Sequence, residues 1–306
     1  GTFIMEDGSV MNGTSTVNTY FNSESRYIHR QGPLGFIPYA TWHTNSTFEI
    51  AGFRTQGYIN IAHSDSWKQT FGHVVYNCHE QTTAFVDLNG YLRNITGNFI
   101  IQNTNNHTLR LSTTQSPVIS IGGDFIIEGN SRLWLSTTPA SAVLNVQGNL
   151  RYLSTSNGIS YFTTRGVIAV NVLGQFEMNS PGRIHMATTA IDSTGARQAT
   201  LSVHEDFAVL NGTMIAPPAP GKARINFVGN GIQTVSSSLT GGSFLGNLDY
   251  LIESGATVSL GSAVLSNTTG TLTVRGNLQV GSPHPGGAIQ LVNQGNLHIS
   301  GERIFE

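Results

Sequence analysis

Apolar and polar residues alternate in short runs through most of the chain. In Val143-Leu144-Asn145-Val146, Leu144 and Val146 fall on one side and Val143 and Asn145 on the other. Val118-Ile119-Ser120-Ile121 has the same form. Period-two alternation over a few residues predicts half-buried β-strands, and the Gly-Asn, Thr-Thr and Pro positions between the runs predict turns. No apolar stretch reaches the roughly 18 residues that a membrane-spanning helix requires.

The runs recur on a fixed beat. Related hexapeptides begin at Leu109, Leu133, Ile159 and Ile184, at spacings of 24, 26 and 25. A second motif, glycine followed by a polar and then an apolar residue, recurs at Gly97, Gly123, Gly148 and Gly174, at spacings of 26, 25 and 26; the next copy has Glu205 in the glycine position. A unit of about 25 residues cannot bury its own apolar face, but stacked units can, each strand pairing with its counterpart one coil away at about 4.8 Å. The predicted fold is all-β: a right-handed parallel β-helix with coils of about 25 residues, on the order of 50 Å long for about 10–12 coils. Residues 1–306 read as a single solenoid domain, with 1–90 a less regular N-terminal part and 91–306 regular coils, and as a segment of a longer chain.

Stacking assigns neighbours. Leu109, Leu133, Ile159 and Ile184 are predicted to form one interior file, and Arg110, Trp134, Ser160 and His185 an outward column beside it. The polar residue after each glycine (Asn98, Asp124, Asn149, Gln175, Asp206) is placed for a hydrogen-bonded ladder. The threonine pairs at 113/114, 137/138, 163/164 and 188/189 read as a strand-ending hydroxyl ladder, with a flat ice-binding array as the alternative. The stretch from Phe71 to Tyr76 has an echo from Leu245 to Tyr250, read as one strand–turn–strand device used twice.

Composition fits this picture. Charged residues are 10% of the chain, against roughly 25% in an average soluble protein; in-register stacking explains the deficit, because a charged column repels itself. A formal net charge of −2 excludes a basic nucleic-acid binder. The lone Cys78 excludes an intrachain disulfide and reads as a small buried hydrophobe. Chemistry is sparse. Asp124 and Asp206 share a repeat position about three coils apart, roughly 14 Å, too far for a paired acid and base. His29, His43, His63, His73 and His79 crowd the first third without a metal-binding motif. No catalytic residue, metal or cofactor is expected. The candidate contact surface for a glycan or surface ligand comprises Trp42, Trp67, Arg110, Trp134 and His185, with further sugar-stacking candidates at Tyr20, Tyr27, Tyr39 and Tyr58.

Pro38, Ala40, Thr41, Trp42, Ser46 and Thr47, followed by Gln69, Phe71, Tyr76, Asn77 and Cys78, resemble a segment of very large surface and secreted proteins of Bacteroidota. The resemblance implies an extracellular, cell-surface location, export through the type IX secretion system, and an adhesive or gliding-surface role without membrane insertion. Asp192-Ser193-Thr194 is similar to the O-glycosylation site of that group, with Ser193 the modified residue. Two other roles follow from the same features: a glycan-active β-helix enzyme (polysaccharide lyase or hydrolase), and a cargo or subunit bound to outer-membrane secretion or gliding machinery.

Overall fold

The computed structural model describes residues 1–6, 19–32, 35–55, 57–59, 61–188, 197–217, 222–237, 242–245, 248–260, 270–280 and 296–299. The chain winds as a right-handed parallel β-solenoid with coils of about 25 residues. Its strands form three faces. The first face stacks by eleven successive parallel pairings from Thr2–Met5 to Asn277–Val280, a height of roughly 50 Å. The second face runs from Phe85–Asp87 through Thr108–Ser112, Arg132–Ser136 and Ile159–Thr163 to Gly242–Leu245. The third runs from Thr70–Phe71 to Asn296–Ile299.

The interior is a set of vertical files, one from each face. Phe99, Phe125, Leu150, Phe176 and Phe207 follow one another on the first face; Phe99 and Phe125 stack with centroids 5.0 Å apart, and Phe176 and Phe207 at 5.1 Å. Ile121, Val146, Val172 and Val203 do the same on the third face. All are buried, so the alternation read from the sequence marks the inward positions.

One file departs from the sequence reading. Leu109 pairs with Leu133, but Trp134 then pairs with Tyr161, and Ser160 with Ile184. The file is therefore Leu109, Leu133, Ser160 and Ile184; Ile159 pairs with Arg183 and is only half-buried. The turn from Tyr152 to Ser160 is two residues longer than the equivalent turns from Ile127 to Leu133 and from Met178 to Ile184, which displaces the strand after it by one place relative to the hexapeptide match. Ser160 is tolerated inside because its Oγ accepts the Leu133 N–H at 2.9 Å and lies 2.7 Å from the Tyr152 hydroxyl. A void of about 20 Å³ lies beside it, lined by Leu133, Leu135, Phe162 and Ile184 among others. The echo of Phe71–Tyr76 in Leu245–Tyr250 is also not one device: the first joins the third face to the first, the second joins the second face to the third.

The Gly-polar repeat has a steric cause. The side-chain oxygen of Asn98 accepts the Asp124 N–H at 2.9 Å, that of Asp124 the Asn149 N–H at 2.7 Å, and that of Asn149 the Gln175 N–H at 2.9 Å. Each reaching side chain lies across the glycine of the next coil. A Cβ at Gly123, Gly148 or Gly174 would stand 2.1, 2.3 or 2.5 Å from that oxygen. Where the ladder lapses the glycine lapses too: Gln175 turns out to solvent, and Glu205 occupies the following glycine position. Gly148→Ala is expected to cost about 1–3 kcal/mol through this overlap, measured as a lower midpoint in denaturant unfolding, whereas alanine at the exposed Gln147 should change it by less than about 0.5 kcal/mol.

The threonines form a ladder rather than a flat array. Thr137 donates its N–H to the Ser112 carbonyl at 2.8 Å, and the Thr188 hydroxyl donates to the Thr164 carbonyl at 2.8 Å. Register places Thr163 beneath Ser136, and Thr138 and Thr163 are buried, so the pairs do not align into an exposed surface. Thr189 lies outside the described residues.

Candidate functional site

Outward positions on the first and third faces carry mainly small, aliphatic, amide or ionic side chains. On the third face Asn94, Ser120, Asn145, Asn171, Ser202 and Asn226 form one row, with the Asn171 amide donating to Asn145 at 2.9 Å. On the first face Val75, Ile100, Ile126, Arg151 and Glu177 follow one another, and Arg151 pairs with Glu177 at 2.9 Å.

The second face differs. Its outward row reads Tyr58, Asp87, Arg110, Trp134, Tyr161 and His185, one residue per coil. Trp134 and Tyr161 meet nearly edge-to-face at 5.1 Å and 83°, and Tyr161 meets His185 at 5.1 Å. Phe85, two places before Asp87 on the same strand, packs against Trp134 at 5.2 Å. The Arg110 guanidinium sits 4.0 Å above the Phe85 ring and 5.6 Å from the Trp134 ring, a pair of cation–π contacts. Asp87 anchors it, 2.5 Å from Arg110 Nε. Burial raises the Asp87 carboxyl above its ordinary range, opposed by the Arg110 charge. Burial, assisted by Arg183, lowers the His185 imidazole, so His185 is neutral at pH 7. The face thus offers aromatic edges, a clamped guanidinium and exposed Tyr58 along about six coils.

Arg110, Trp134 and His185 share the outward row that the sequence predicts, with Tyr161 in the place expected for Ser160. Trp42 and Trp67 are corrected: both lie in the core. Trp42 stacks on Phe21 at 4.1 Å. Trp67, carried inward on the 3₁₀ helix Ile61–Lys68, meets His29 and Phe48 edge-on at 5.9 and 5.7 Å. In the third-face file that continues as Ile95, Ile121 and Val146, the first coils carry the rings of Phe21, Trp42 and Phe71, and Trp42 and Trp67 are packing residues. Tyr27 is likewise buried, whereas Tyr20 and Tyr58 are exposed. Ser193 lies outside the described residues. The outward aromatics Phe85 and Tyr161 escaped the sequence reading; the signal for Phe85 was its position two before Asp87 on one strand.

The remaining chemistry is engaged elsewhere. Asp124 and Asp206 each accept a backbone N–H from a later coil, and Glu49 pairs with Arg26. His73 accepts the Asn98 N–H at 2.9 Å, heading the turn ladder, and His43 accepts the Asn45 N–H at 3.1 Å; the His63 side chain is outside the described residues. Cys78 is buried, and burial pushes its thiol up to about 12, which leaves it a poor nucleophile. Among the described residues no cluster of three His, Cys, Asp or Glu is placed to hold a metal ion, and no helix is long and apolar enough to cross a membrane.

No family model, curated protein or solved structure matches the chain.

Proposed function

We propose that the chain is a non-enzymatic, adhesive segment of a large exported cell-surface protein, a rigid β-rod that presents its second face to a glycan or surface ligand. The observation that carries this reading is the segregation of outward aromatic side chains in the regular coils onto one face, in a single row with a clamped arginine. Aromatic and arginine side chains are enriched at recognition hot spots: the rings bury large area with only two rotors lost, and the guanidinium supplies paired donors. The location outside the cell and export by the type IX route rest on the sequence resemblance. The engaged state of Asp124, Asp206 and Glu49 favours a binding surface over a hydrolytic cleft.

The test is retention on a panel of immobilised polysaccharides, with release of reducing ends followed in parallel. Trp134→Ala combined with Tyr161→Ala is expected to lower affinity at least tenfold while the chain stays folded, because both rings lie outside the core. Unchanged binding by the double variant, or polymer cleavage by the parent chain, would contradict the proposal.

A further inference from the structure

The second face also carries uncompensated cations. Elsewhere most arginines are paired across coils, Arg26 with Glu49, Arg54 with Glu80, Arg151 with Glu177 and Arg275 with Glu253, whereas Arg93 bonds the Gly90 carbonyl and Arg165 has no carboxylate partner among the described residues. Beside the aromatic row the pattern stops. Arg132 donates to Asn106 Oδ1 at 2.7 Å and to Ser156 Oγ at 3.3 Å, both neutral acceptors. Arg183 is exposed and lies in the outward row next to that of His185. Among the described residues neither has a carboxylate within ion-pair reach. The neutral bonds hold Arg132 in place without cancelling its charge, and the Arg132 side chain lies over Gly158, where a Cβ would stand 2.0 Å from Nε. That glycine leaves room for the Arg132 side chain.

Resting on the adhesive reading above, we propose that the ligand of this face is an acidic polysaccharide, a sugar chain bearing carboxylate or sulfate groups, lying parallel to the rod axis. Direction follows from topology: contacts recur once per coil along the axis and are one or two residues wide across it, so the complementary ligand is long and narrow. Charge follows from Arg132 and Arg183, which flank the rings where anionic substituents of a bound chain would fall. Guanidinium binds carboxylate and sulfate oxygens through paired N–H donors, while the ring edges take the apolar faces of the sugars. The chain as a whole carries a formal net charge of −2, so attraction of a polyanion would be local to this face rather than general.

The test uses the whole chain and three soluble probes, polygalacturonate, dextran sulfate and a neutral galactan, in affinity electrophoresis at low and high salt. Retardation by one or both polyanions, weakened by salt and reduced at least tenfold in Arg132→Gln/Arg183→Gln, is the expected result; which polyanion is retained separates carboxylate from sulfate recognition. Arg183→Gln alone, at an exposed position, should give a partial loss with unchanged unfolding and so keeps the test independent of folding. Retardation by the galactan with no effect of the arginine changes would overturn the acidic ligand and leave the adhesive face standing. Absence of retardation by all three would overturn the acidic ligand, and the wider polysaccharide panel with the Trp134/Tyr161 variant then decides the adhesive reading separately.

Discussion

Leu135→Asp is expected to unfold the middle of the rod. Leu135 is buried between Leu111 and Phe162 in neighbouring coils and lines the small void near Ser160. Truncating a buried leucine costs about 2–5 kcal/mol, and a carboxyl without a partner in that setting adds about 1–3 kcal/mol more. Against a total stability of about 5–15 kcal/mol, the sum is large. Stacked repeats are held by nearest-neighbour interfaces, so the damage should be local first. Hydrogen exchange should show protection lost in Thr108–Ser112, Arg132–Ser136 and Ile159–Thr163, with Phe207–Ile215 retaining more. An aspartate at the exposed Gln147 of the same coil serves as control and should shift stability by less than about 0.5 kcal/mol. Equal melting of Leu135→Asp and the parent would mean that Leu135 does not face the interior.

The same strand shows why the fold was readable and part of the site was not. Alternation in Leu133-Trp134-Leu135 fixes which side chains enter the core, because a one-residue slip would expose both leucines. The repeat of glycine with a following polar residue reports a contact between coils: the glycine is small because another residue's oxygen lies where its Cβ would be. Such signals survive in one sequence because stacking imposes them at every turn. Register across a turn of altered length is different. Ile159 matches the hexapeptide by chemistry, yet the longer turn before it hands the interior place to Ser160 and the outward place to Tyr161. The hydrogen bonds that make a buried serine acceptable come from Leu133 and Tyr152, and nothing in the hexapeptide records them. Trp42 was readable after all: its neighbours Thr41 and His43 are exposed, and period two alone turns it inward. Trp67 was not, because it enters the core from a helical segment with no strand alternation around it.

Lowering the pH from 7 to 4 is expected to remove about 3 kcal/mol of stability through His29 alone, from the 1.36 kcal/mol that accompanies each pKa unit. His29 is enclosed by the rings of Tyr27, Phe48 and Trp67. Its Nε2–H donates to the Gly32 carbonyl at 3.0 Å, and its Nδ1 lies 3.2 Å from the Tyr27 hydroxyl, positioned to accept from it. Both nitrogens are thus satisfied in the neutral ring, and a second ring proton would displace the Tyr27 donor. Burial lowers the imidazole from 6.5 to about 4, with the Gly32 bond opposing weakly. The unfolded chain therefore binds a proton that the folded chain refuses throughout that interval, so stability rises with pH between about 4 and 6.5 and is lost as the solution is acidified. His185 shifts in the same direction, but it is half-exposed and contributes less. His29→Gln retains one donor and one acceptor without a titrating group. Urea unfolding of the two proteins at half-unit pH steps should give a steep acid loss for the parent and a shallower one for the variant, the difference growing to about 3 kcal/mol by pH 4. Parallel curves would show that His29 titrates alike in the folded and unfolded chain, which its enclosure by three aromatic rings forbids.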